Sequence, residues 1–243
     1  MAATLAPVAA PAPSSAPSPT PPGTPPDSTT DALDAALERL AGRAEAWFAL
    51  PAAEKLRYVR AAIAGTRRVA EAQVRAACAA KGVPFDSAVA GEDWFGGPVA
   101  TLRGLRLLAE TLERIAAGGP AAAMPERIRE RPDGRLVVEV LPAGWRDRVL
   151  FAGVRGEVWL RAGTTRADLA RQVATLYGPD PRAHGLAPGV ALVLGAGNVA
   201  AIGALDVVHK LFAEGQTALL KFNPVNAYVG PFFEEAFTGL NLR

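Results

Sequence analysis

Cysteine and histidine are nearly absent: 243 residues contain one cysteine and two histidines. A single thiol excludes a disulfide framework and a cysteine-rich zinc site, and two imidazoles leave little for a histidine-based metal centre. No metal site is therefore expected, and a reducing, cytoplasmic compartment is the natural reading. Lysine is scarce, with four residues against 22 arginines, and aromatic residues make up 7% of the chain. No run of about 18 apolar residues occurs, so no membrane span and no membrane partner are expected. Charge of one sign is not in surplus either. Twenty-six basic residues face 24 acidic ones, and the arginines are spread rather than bunched, which argues against a nucleic-acid partner.

Proline is concentrated in one place. Residues 1–30 hold nine of the 21 prolines and a single charge, Asp27. Proline fixes φ and removes a donor, so this stretch reads as an extended, disordered tail. A Pro-rich ligand for a partner domain is its sharper reading. The uncharged start, interrupted by proline from Pro7 onward, does not fit an export signal.

Residues 31–123 read as a helical segment. Asp31 is placed to cap a helix over DALDAALERLAGRAEAWFAL, with Leu33, Leu37, Leu40 and Ala44 on one face. Pro51 suits the start of a second helix carrying Leu56, Val59, Ile63, Val69 and Val74, which Gly82 ends and Pro84 blocks. A third helix is expected from about Pro98 to Ala117, burying Leu102, Leu105, Leu108, Leu112 and Ile115. Cys78 falls on an alanine-rich helical face and reads as a core residue rather than a nucleophile.

Residues 124–187 change character. Pro132, Asp133 and Gly134 mark a turn at a solvated, charged hairpin tip. LVVEVLP and then VLFAGVRGEVWLRAG read as extended chain, followed by a helix from Arg166 to Leu176. His184 reads as a loop residue exposed to solvent.

The stretch 188–237 carries the chemistry. VALVL is a short continuous apolar strand of the kind buried on both faces of a parallel sheet. Gly195-Ala196-Gly197-Asn198-Val199-Ala200 follows it and matches the loose G-x-G-x-x-G/A turn that lets a nucleotide approach a helix N-terminus. A crossover helix over Ile202 to Phe212 with Leu205, Val208, Leu211 and Phe212 facing the sheet, a stop at Gly215, and a second strand TALLK complete a βαβ unit. The fold class is α/β. The acidic residue that a standard dinucleotide fold places at the second strand end is replaced by Lys221, a donor to ribose oxygens or a 2′-phosphate.

GAGN…LFAEGQTALLKFNP resembles the aldehyde dehydrogenase superfamily, with Asn198 on the family's turn asparagine and Lys221 on its strand-end lysine. Glu214-Gly215-Gln216-Thr217 is similar to the family's helix end, and AEAWFALPAAEKLRYVRAAIAGTRRVAEAQ to a segment of its N-terminal helices. The resemblance covers nearly everything from about residue 31. It implies N-terminal helices followed by the first βαβ of a Rossmann-like NAD(P)-binding domain over 188–243. It also implies NAD(P)-dependent oxidation of a small-molecule aldehyde, or the reverse acyl reduction, and leaves a homo-oligomer open. Asn198 would be the oxyanion donor, and Gly195, Gly197, Lys221, Asn223 and Pro224 would line the NAD or NADP site. Pro224 departs from the family, many of whose members carry a ribose-binding glutamate there, and Gly195-Ala196-Gly197 replaces a bulkier turn. The family's nucleophilic cysteine and general-base glutamate lie on later segments, while Glu234 and Glu235 read as helix-surface carboxylates. This sequence, read to Arg243, is therefore expected to be the first half of such an enzyme. The alternative is an inactive remnant or a non-enzymatic module that pairs with a full-length partner.

Overall fold

The helical periodicity of residues 30–118 builds the layer on which the rest of the molecule rests. A computed structural model describes residues 23–240, so most of the Pro-rich tail lies outside the described residues. Helix α1 (Thr30–Ala49) is capped by the Thr29 hydroxyl, which accepts from the Ala32 N–H at 3.2 Å; Asp31, the expected cap, sits inside the first turn. Helix α2 (Ala52–Lys81) starts after Pro51 and closes at Gly82 in the left-handed conformation. A short α3 (Ala90–Trp94) leads through a wide turn, Phe95–Val99, into α4 (Ala100–Gly118), and Gly97 breaks the helical path between them. Leu56, Val59, Val69 and Val74 of α2 and Leu105, Leu112 and Ile115 of α4 are buried as their spacing requires. Cys78 is buried with Val74 and Ala90 under Phe85 and Trp94.

The second region is a three-stranded antiparallel sheet of β1 (Ile128–Glu130), β2 (Leu136–Leu141) and β3 (Gly156–Trp159), in that spatial order. The Pro132–Gly134 turn closes its first hairpin, with the Arg131 N–H donating to the Arg135 carbonyl. VLFAGVRGEVWLRAG departs from the expected extended chain. Trp145–Leu150 forms helix α5, and only Gly156–Trp159 is a strand, with Val158 and Trp159 exposed. The cause is Asp147, buried on α5 and bound by Arg103 of α4 through two hydrogen bonds of 3.2 and 2.7 Å. A further hydrogen bond from the Ala143 N–H holds the same carboxylate. A helical turn is what brings that carboxylate to its partners. Helix α6 (Arg166–Gln172) starts with a Thr165–Asp168 capping box and ends earlier than expected, with Ala174 in the left-handed region.

The third region is the βαβ unit. Strand β4 (Val190–Leu194) runs parallel to β5 (Thr217–Lys221), with Leu194 opposite Lys221. Helix α7 (Ala201–His209) continues as a wider helical turn to Glu214, and Gly215, at φ 74°, turns the chain into β5. A Cβ on Gly215 would also lie 2.6 Å from Leu176 and 2.7 Å from Phe48, so only glycine fits there. The chain then passes through Pro224–Val229 into α8 (Gly230–Ala236).

One core joins these elements: Leu56, Val59 and Leu112 of the helical layer pack with Val208, Phe212 and Phe233. The molecule is mixed α/β. Strand β4 is not buried on both faces as expected. Val193 is buried under α7, but Leu192 and Leu194 are 62% and 67% exposed on the other face. Leu33 and Leu37 of α1 are likewise exposed, because α1 reaches the strands through its C-terminal half. Among the described residues no helix is long and apolar enough to cross a membrane.

Candidate functional site

The C-terminal ends of β4 and β5 lie side by side, which is where a βαβ unit presents backbone groups to a ligand. The Gly195 N–H donates to the Lys221 carbonyl at 2.8 Å, extending the ladder one residue past β4. A Cβ on Gly195 would stand 3.2 Å from that carbonyl oxygen. Gly197 faces the Asn223 side chain so closely that a Cβ there would sit 2.9 Å from its carboxamide carbon. Gly195, Gly197, Lys221 and Asn223 are thus brought together. The space left by Gly197 is filled from within, by Asn223.

Two further residues complete the loop, and neither was singled out from the sequence. Asn226, buried, donates from Nδ2 to the Ala196 carbonyl at 3.0 Å and ties the glycine turn to the segment after β5. Gly203, one turn into α7, is where helix and strands approach: a Cβ there would lie 3.4 Å from Leu220 and 3.7 Å from the Gly195 Cα. The close-packing glycine is therefore Gly203 rather than position 200. A glycine inside a helical pattern was the available signal for it. Asn226 had none, because its partner is a carbonyl 30 residues away.

Asn198 is exposed, and its side chain makes no hydrogen bond among the described residues. It precedes α7, whose N-cap residue Ala200 brings no side-chain cap, while the Ile202 N–H donates to the Val199 carbonyl at 3.3 Å. The loop leans on the helical layer. A Cβ on Gly96, in the broken turn before α4, would be 3.6 Å from Val199. Lys221 is exposed, with Nζ 3.4 Å from the Phe222 carbonyl and no ion pair among the described residues. Asn223 accepts from the Val225 N–H at 3.1 Å and so caps the turn that Pro224 begins. Pro224 itself is exposed and offers shape but no donor.

No family model, no curated protein and no solved structure matches this chain. The site therefore stands on its own residues.

Those residues suit an anionic, hydroxyl-bearing ligand. An unpaired ammonium and an uncapped helix start share one end of the sheet, and the segment from Lys221 to Gly230 has no carboxylate to repel a phosphate. Among the described residues, no group of three His, Cys, Asp or Glu side chains could hold a metal ion. Cys78 stands apart from this end, buried on α2, with burial foremost and the Asp93 carboxylate next raising its thiol pKa. A thiol held protonated in a closed core is not available as a nucleophile.

Proposed function

We propose that this chain carries the first cofactor-binding βαβ unit of an aldehyde dehydrogenase-type oxidoreductase that uses NAD or NADP. The observation that carries this reading is the convergence of Asn198, the start of α7 and Lys221 at one end of the parallel pair β4–β5. A bound nicotinamide nucleotide would supply hydride acceptance. Lys221 donates to ribose hydroxyls or pairs with a 2′-phosphate. The positive end of α7 faces the negative end of a ligand, which Asn223 keeps away from Gly197. Asn198 offers its carboxamide N–H to an oxyanion developing at the substrate carbon.

Cys78 favours a second reading, that this chain binds cofactor without turning over substrate, because its only thiol is sealed in the core. One set of measurements separates the two. Calorimetric titration with NAD+ and with NADP+ is expected to show binding that Lys221→Ala weakens about tenfold or more, the usual value of a charge-assisted hydrogen bond. Aldehyde-dependent reduction of the nucleotide, lost about 100-fold in Asn198→Ala, establishes the oxidoreductase. Binding without turnover in the protein isolated from its native cell establishes the second reading. No binding of either nucleotide overturns both.

A further inference from the structure

Lys55, on the inner face of α2, is 0% exposed, and its Nζ has no hydrogen-bond partner. Two aromatic rings stand where a partner would be. The ammonium lies 5.0 Å from the Trp47 ring centroid and 5.3 Å from that of Tyr177. Each ring commits its own donor to the end of the crossover helix. Trp47 Nε1–H donates to the Leu211 carbonyl and the Tyr177 hydroxyl to that of Phe212, both at 2.8 Å. A third ring, Tyr58 of α2, packs edge-on against Trp47 at 5.6 Å. The box therefore joins α1, α2, the turn after α6 and the last turn of α7.

The charged groups flanking the box are engaged with one another. Glu45 pairs with Arg182, Glu54 with Arg57, and Lys210 and His209 both with Glu214. The Tyr177 phenol cannot serve as a counter-ion, since burial raises its pKa and keeps it neutral. Two cation–π contacts offset part of the desolvation. A fully desolvated ammonium without hydrogen bonds costs more than that.

We propose that Lys55 makes the junction between the helical layer and the crossover helix a proton-controlled joint, weakened while the ammonium is charged and tightened once the amine is neutral. Burial pushes the Lys55 pKa down to about 8 from the ordinary 10.5. Between those values the unfolded or opened chain binds the proton more tightly than the closed one. Stability therefore rises with pH across that window and is fully gained above it. At neutral pH, opening the joint returns the charge to water.

The test uses the whole chain at pH 7 and pH 10, comparing wild type with Lys55→Met and Lys55→Arg by urea unfolding and by amide exchange over residues 201–214. Lys55→Met is expected to be the more stable at pH 7. Wild type should close that gap by about tenfold or more in the folding equilibrium constant by pH 10. Lys55→Arg stays charged throughout and should lack the gain. Parallel pH profiles for wild type and Lys55→Met overturn the proposal; this pair decides it even where Lys55→Arg does not fold.

Discussion

Single residues govern how closely these elements approach. At Gly65 on α2 a Cβ would stand 2.2 Å from the Ala236 carbonyl oxygen, a backbone atom with nowhere to go. Gly65→Ala is expected to cost about 3 kcal/mol through overpacking, despite alanine's better helix propensity, as read by urea unfolding. Asn226→Ala should cost about 1–2 kcal/mol, because the Ala196 carbonyl loses its partner. It should also weaken any nucleotide binding by loosening the glycine turn, which the same titrations would detect. Asp147 gives the acid counterpart of Lys55. The hydrogen-bonded Arg103 guanidinium, first among several causes, holds its carboxyl below the usual range. Its stabilisation is complete above the unfolded carboxylate value near pH 4 and is lost as pH falls through the lower folded value. Asp147→Asn should flatten that acid limb and cost about 3 kcal/mol at pH 7, since it breaks a buried pair.

Elements differ in how much of their pattern found a partner. Helices α2 and α4 bury most of the faces their spacing demanded, because they pack on each other, but Ile63, Leu102 and Leu108 are only partly covered. Strand β4 buries one face only, so the apolar run VALVL is satisfied by α7 on one side and open on the other. Amides of β4 are therefore expected to exchange faster than those of α2 and α4. Uniform protection of 190–221 at the global rate would refute this. Leu192→Thr, on the open face, should reduce aggregation while changing stability by no more than about 0.5 kcal/mol. Helix α5 shows the opposite relation: Val149 and Leu150 open a stretch that reads as strand, yet they end a helix whose buried Asp147 carboxylate is bound by Arg103.

At the scale of the molecule, charge and burial act in opposite directions. The sequence pI is near 8.9, so net repulsion between copies vanishes close to pH 9. Lys55 makes the fold gain stability through the same window. Turbidity at high protein concentration should therefore peak near pH 9 while the urea midpoint still climbs. A midpoint that falls there would show that the gain from neutral Lys55 is outweighed.

Local pattern determined much of this protein. Helical spacing set α2 and α4, Gly82 and Gly215 set two chain reversals, and the apolar strands flanking a glycine turn set the parallel pair with Lys221 at its end. Each of these is written in neighbouring residues, whose steric and solvation preferences act within a turn or two. Tertiary structure alone decided the rest: which face of α1 and β4 stays open, that Asn223 fills the space beside Gly197, and that Asn226 holds the turn. It also decided that Lys55 has rings instead of a counter-ion. These depend on groups far apart in sequence, and no periodicity records which distant surface will arrive to bury a side chain or accept its hydrogen bond.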